Sequence, residues 1–137
     1  MQSTLLVDSG PLVAWLNERD KHHALADAFF LTRTERLVTT WAVCTEVCHL
    51  SPRQSRTRFL RWIALGGATV WHIPDEQAAV LADLMDRYAD LPMDMADASL
   101  VWLAGQVESY DIATLDRKDF AVYRGSRNRP FRNVFFD

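Results

Sequence analysis

No stretch of this sequence is long and apolar enough to cross a membrane; its first apolar run, Leu5-Leu6-Val7, stops at Asp8. The opening Met1-Gln2-Ser3-Thr4 carries no basic segment of the kind that begins a secretory signal, so the expected location is the cytoplasm. Cysteine is scarce. Cys44 and Cys48 lie four apart in a helix-like stretch, too few for a disulfide framework, and read as two small thiols on a core-facing stripe. His22, His23, His49 and His72 do not combine with them at zinc-site spacing. No glycine-rich Walker loop is present, which disfavours nucleoside triphosphate hydrolysis. No Ser–His or Cys–His pairing suggests a protein nucleophile, and Ser9 has no evident base. An excess of positive charge is missing too. The net charge of −3 and pI near 5.8 argue against bulk electrostatic binding of long nucleic acid, but not against a local basic rim around an acidic centre.

What is present suits one compact domain over residues 1–137. Apolar residues make up 49%, with five tryptophans and seven phenylalanines to fill a core. Short apolar runs at 4–7, 37–39, 69–73, 111–115 and 133–136 predict strands. Helices are predicted from Ser9, over 22–34, 41–50 and 52–64, from Pro74 to about Ala89, over 94–106, and as a short turn near 118–121. Ser9 and Thr40 suit helix caps, and Gly66-Gly67 ends the 52–64 helix. This alternation predicts the α/β class with a mainly parallel sheet, without repeats or linkers.

Five acids stand out by position. Asp8 ends the first strand, where open α/β sheets place their ligands. Glu46 interrupts the apolar helix Ala42-Val43-Cys44-Thr45-Glu46-Val47. Asp94 and Asp97 open a helix rich in alanine and leucine, and Asp116 ends the fourth strand. In a parallel sheet Asp8 and Asp116 emerge from one edge. Apolar-flanked carboxylates are costly unless paired or bound to a cation, and several together raise one another's pKa. A divalent ion removes that conflict, and a donor set of carboxylates without histidine suits Mg²⁺ or Mn²⁺. Such an ion can polarise a phosphoryl oxygen and activate water for phosphodiester hydrolysis. Asp94 also fits a plain helix cap, and Asp119 competes with Asp116 as the fourth acid.

Two stretches are basic. Arg53, Arg56, Arg58 and Arg61 share a helix without an intervening acid. Arg117, Lys118, Arg124, Arg127, Arg129 and Arg132 cluster near the C-terminus. They suit a solvated surface or contacts to RNA phosphates beside an acidic centre, with Tyr123–Arg132 as a flexible loop gripping a strand.

The motifs together resemble a known family. Leu6-Val7-Asp8-Ser9-Gly10-Pro11-Leu12 is similar to the opening motif of PIN domains. Thr45-Glu46-Val47 is similar to their second acidic motif, Met93 to Leu100 to the third, and Ala113 to Phe120 to the fourth. The nearest likeness is to the VapC-like toxins of toxin–antitoxin pairs. The resemblance implies a three-layer α/β/α sandwich, an Mg²⁺- or Mn²⁺-dependent ribonuclease with an RNA substrate, a homodimer, and a small VapB-like antitoxin. It implies Asp8 and Asp97 as principal metal ligands, Glu46 and Asp116 completing the cluster, Asp94 in support, and Thr114 orienting a ligand.

Two other readings compete. A receiver-like signalling module also carries acids at strand ends, but the third strand here runs out at His72-Ile73-Pro74 with no phospho-acceptor Asp. An RNA-binding module without nuclease activity would have no use for the intact acid set.

Overall fold

The computed structural model describes residues 2–137; Met1, the first residue of the N-terminal segment read above, lies outside them. In chain order the elements are β1 (Thr4–Val7), α1 (Ser9–Leu16), α2 (His23–Thr32), β2 (Arg36–Thr40), α3 (Trp41–Leu50) and α4 (Arg53–Ala64). They continue with β3 (Thr69–Trp71), α5 (Ala78–Arg87), α6 (Met95–Val107), β4 (Asp111–Ala113), α7 (Arg117–Val122) and β5 (Arg132–Asn133). Single 3₁₀ turns occupy Asp75–Gln77 and Ser126–Asn128.

The strands form one sheet in the order β3-β2-β1-β4-β5, with every pairing parallel. The chain winds outward from β1 through β2 to β3, then crosses back to β4 on the other flank of β1. The strand order therefore reverses between β1 and β4, and at such a switch point the loops on either side splay apart and leave a crevice. Successive strand residues face opposite sides of a sheet. Leu5 and Ala113 pack into one buried cluster with Ala14, Ala26, Phe29 and Phe135. Leu6, Val38 and Ile112 pack into another with Val43, Val47, Leu100 and Leu103. Helices cover both faces, which makes the predicted α/β/α sandwich. The helix α6 runs almost wholly inside, with every residue from Ala98 to Ala104 buried. No helix is long and apolar enough to cross a membrane among the described residues.

Three elements are shorter than their apolar patterns predict. The fourth strand stops at Ala113 instead of Leu115, and the fifth at Asn133 instead of Phe136. The Asn133 side chain takes over the pairing there: its Oδ1 accepts from Thr114 N at 3.3 Å and from Phe135 N at 3.2 Å, and its Nδ2 donates to Thr114 O at 3.0 Å. The third strand ends at Trp71, ahead of Pro74. The expected flexible tail from Tyr123 is instead anchored, since Tyr123 is fully buried and an antiparallel bridge joins Arg124 to Pro130.

Candidate metal centre

The crevice is built first by Asp8. Its backbone continues β1, with its N–H donating to Ala113 O at 3.0 Å, and its extended φ/ψ of −86°/170° is the conformation a helix cap requires. Asp8 is therefore the cap of α1, accepting from Ser9 N on Oδ1 at 2.8 Å. This corrects the assignment of the cap to Ser9, which is instead the first helical residue. Its hydroxyl is thereby free to donate to Oε1 of Glu46 on α3, a partner the sequence does not suggest. The other oxygen of Asp8 accepts from Thr114 Oγ1 at 2.7 Å, and the same hydroxyl accepts from Asp116 N at 2.9 Å. One buried threonine thus ties the end of β1 to the loop after β4.

Asp94 caps α6 by accepting from Asp97 N at 2.8 Å, and its side chain is exposed. Asp97 sits in the first turn of α6, and its Oδ2 accepts from Tyr123 Oη at 3.1 Å. Asp116 caps the short α7 by accepting from Asp119 N at 3.3 Å. Asp97, Asp116 and Asp119 each present an oxygen within 4.8 Å of the others. Asp119, ranked behind Asp116 from sequence, thus stands beside it. Buried hydroxyls brace this arrangement: Thr39 Oγ1 donates to Val7 O at 2.8 Å, Thr40 and Ser99 hydroxyls meet at 2.7 Å, and Ser99 donates to Ala96 O. They lock α6 to β2 and hold Asp97 at a fixed height above the sheet.

The carboxylates resist carrying their full charge together. Burial raises the Asp8 carboxyl from the ordinary 3.8 to about 6. Hydrogen bonds from Thr114 and Ser9 N oppose the rise, and the charges of Glu46 and Asp116 add to it. Burial likewise raises Asp97 to about 7, helped by Asp94, Asp8 and Asp116 and opposed by Tyr123. Asp116 is raised by burial and by its hydrogen bond with Asp119. The Tyr123 phenol is pushed up by burial and the charge of Asp97, so it stays a donor. These acids form one electrostatically interacting cluster: Glu46 and Asp116 raise Asp8, and Asp94, Asp8 and Asp116 raise Asp97. Every donor in it is a carboxylate or hydroxyl oxygen, the chemistry that suits a hard divalent cation, so the residues fit Mg²⁺ or Mn²⁺. The cysteines stand apart: both are free, and burial pushes Cys44 up to about 12, leaving it a protonated core thiol.

Tyr123, Ser9 and Asn133 do not stand out in the sequence as contributors to this site. Tyr123 follows Phe120 and Asp119 at helical spacing, which is the available signal; the other two depend on which strands become neighbours. Thr114→Val keeps the shape of the bridge and removes both of its hydrogen bonds. We expect affinity for Mn²⁺ to fall ~10–100-fold as Asp8 and Asp116 lose their fixed orientation. Melting should show a loss of ~1–2 kcal/mol, because buried partners are left unsatisfied. Mn²⁺ affinity within twofold of wild type would show that the threonine does not position the acids.

The PIN domain family model matches residues 5–125. Ribonuclease VapC26 of Mycobacterium tuberculosis (strain ATCC 25618 / H37Rv) is 28% identical over 127 residues, covering 88% of this chain and 92% of VapC26. The crystal structure of Mycobacterium tuberculosis VapC20, a toxin that cleaves the sarcin–ricin loop, matches with a TM-score of 0.75 at 16% identity. That match covers 83% of this chain and 91% of VapC20, and it shows a shared fold.

Proposed function

Because the chain belongs to the PIN-domain family, we propose that it is a metal-dependent endoribonuclease, the toxin of a type II toxin–antitoxin pair, with residues 1–137 as a single catalytic domain. The observation that carries the reading is the crowding of Asp97, Asp116 and Asp119 within 4.8 Å beside the buried Asp8, at the switch point of a parallel sheet. The names of the related VapC26 ribonuclease and the VapC20 toxin support the same substrate class, RNA. A VapB-like antitoxin, a homodimer and a cytoplasmic location follow from the toxin reading.

In this reading Asp8, Asp97 and Asp116 hold the ion, with Glu46 and Asp119 completing the acidic wall. A bound divalent ion supplies Lewis acidity toward a phosphoryl oxygen and makes water a stronger nucleophile. The protein's own part is positioning. Thr114 and Ser9 N fix both oxygens of Asp8. Tyr123 fixes Oδ2 of Asp97. Ser9 fixes Oε1 of Glu46. Asp94 caps the first turn of α6, in a supporting role.

The test is cleavage of total RNA by the purified, antitoxin-free protein. Products are expected with Mg²⁺ or Mn²⁺ and none with EDTA, and mapping their 5′ ends would identify the target. Intact RNA under both metals, with the protein folded by circular dichroism, would remove the nuclease assignment.

A further inference from the structure

A cleft of about 600 Å³ lies on the far side of Tyr88, between α5, α6 and the loop 124–128. Three arginines line it, Arg87, Arg124 and Arg127, against one carboxylate, Asp83. Among the described residues none of these arginines forms an ion pair. Three guanidinium groups against one carboxylate leave a local positive excess on a chain of net charge −3, which suits an anionic occupant.

The loop that carries two of them is held by construction. Gly125 N donates to Arg129 O at 2.8 Å, and a Cβ at Gly125 would fall 2.0 Å from the Tyr110 ring, so only glycine permits this close approach. Arg127 and Asn128 sit in the left-handed region, with φ of 59° and 61°, a conformation that costs energy for such residues and clusters at binding sites. Arg124 spends one terminal nitrogen on the carbonyls of Ala121, Val122 and Tyr123 at 2.8–3.1 Å, which fixes its guanidinium at the end of α7. Its remaining donors are not used in this way.

The cleft is one aromatic pair away from the acidic pocket. Tyr88 Oη accepts from Arg124 N at 2.9 Å, the Tyr88 ring packs edge-on against Tyr123 with centroids 5.0 Å apart, and Tyr123 donates to Asp97. Guanidinium groups match phosphate geometry in paired hydrogen bonds, and phosphate contacts position a nucleic acid without reading its sequence.

We propose that this arginine-lined cleft is a second binding site for the RNA backbone, holding the strand that flanks the cleaved phosphodiester. The proposal rests on the ribonuclease reading for its substrate, but its test does not depend on cleavage. Arg87 and Arg127 supply the phosphate contacts that the acidic centre itself cannot. Arg124 joins them while shaping the end of α7. The tyrosine pair sets the offset between the gripped segment and the scissile bond.

The test is anisotropy of a fluorescein-labelled single-stranded RNA of random sequence, titrated with the full protein in EDTA, where nothing is cut. Arg87→Gln combined with Arg127→Gln should weaken binding ~10-fold or more and lower the salt slope by about 1.4, because two fewer phosphates are neutralised. Asp83→Lys should tighten binding several-fold, a gain that misfolding does not mimic. Asp97→Asn should not weaken it, which separates the cleft from the acidic centre. Binding unchanged within twofold in both the double variant and Asp83→Lys would overturn the proposal. So would a double variant that alters the oligomeric state in light scattering and leaves RNA affinity intact, because the cleft would then be a protein interface. Failure of cleavage in Mg²⁺ with cleft-dependent RNA binding intact would count against the nuclease reading alone.

Discussion

Asp97→Asn is expected to make the metal-free protein more stable at about pH 8 and to lower RNA cleavage by ~10³-fold or more. Both effects come from one charge. Burial and the neighbouring Asp94 and Asp8 hold the Asp97 carboxyl at about 7, so ionising it in the folded state costs more than in the unfolded chain. Asparagine has the same shape, keeps an oxygen to accept from Tyr123 Oη, and carries no charge. Asp97 is partly exposed, so solvent screening reduces the gain, and ~1–2 kcal/mol is the expected size, or a melting point several degrees higher in EDTA. At about pH 5 the wild-type carboxyl is already protonated when folded, and the advantage should shrink. Cleavage falls because a ligand that neutralises the ion has become a weak one. Stability that falls in EDTA while cleavage persists would mean that Asp97 is an ordinary structural residue.

The second large effect is the response of stability to pH and to metal. Asp8 and Asp97 bind protons more tightly in the folded state than in the unfolded chain. A raised folded pKa contributes stability that is fully present below the unfolded value near 3.8 and is lost as pH climbs through the folded value. The window is therefore pH 4 to 7, from the values of about 6 for Asp8 and about 7 for Asp97. For buried Asp8 alone the shift from 3.8 to about 6 corresponds to ~3 kcal/mol. In EDTA, melting temperature should fall between about pH 5 and pH 8 by more than it does in Asp97→Asn. Millimolar Mn²⁺ should restore it at the higher pH and do little at the lower, since metal and protons compete for the same oxygens. Equal Mn²⁺ stabilisation at both ends of that range would show that the ion binds elsewhere.

The architecture is legible in the sequence because its signals are local. The run Thr4–Val7 followed by Asp8, and Asp111–Ala113 followed closely by Asp116, fix two strand ends on one edge once the sheet is parallel. The alanine- and leucine-rich stretch behind Asp97 announces a buried helix. What escapes depends on contacts between distant segments. Whether Asp8 or Ser9 caps α1 turns on one residue's ψ, set by the β1–β4 pairing and not by propensity. Asn133 ends two strands only because β5 lies beside β4. Tyr123 reads as the start of a loop, since the stretch after it holds Gly125, Asn128 and four arginines; its burial comes from Tyr88, Phe120 and Asp97 closing around it. Asp119 ranks second to Asp116 by sequence because Asp116 reads as the direct end of the fourth strand; β4 in fact stops at Ala113, Asp116 caps α7, and Asp119 in the first turn of that helix stands beside it.

Crystals soaked in MnCl₂ and measured at the manganese absorption edge would locate the ion directly. The account places an anomalous peak in contact with carboxylate oxygens of Asp8, Asp97 and Asp116. A peak on other side chains, or a pocket that stays empty while Mn²⁺ supports RNA cleavage, would contradict it.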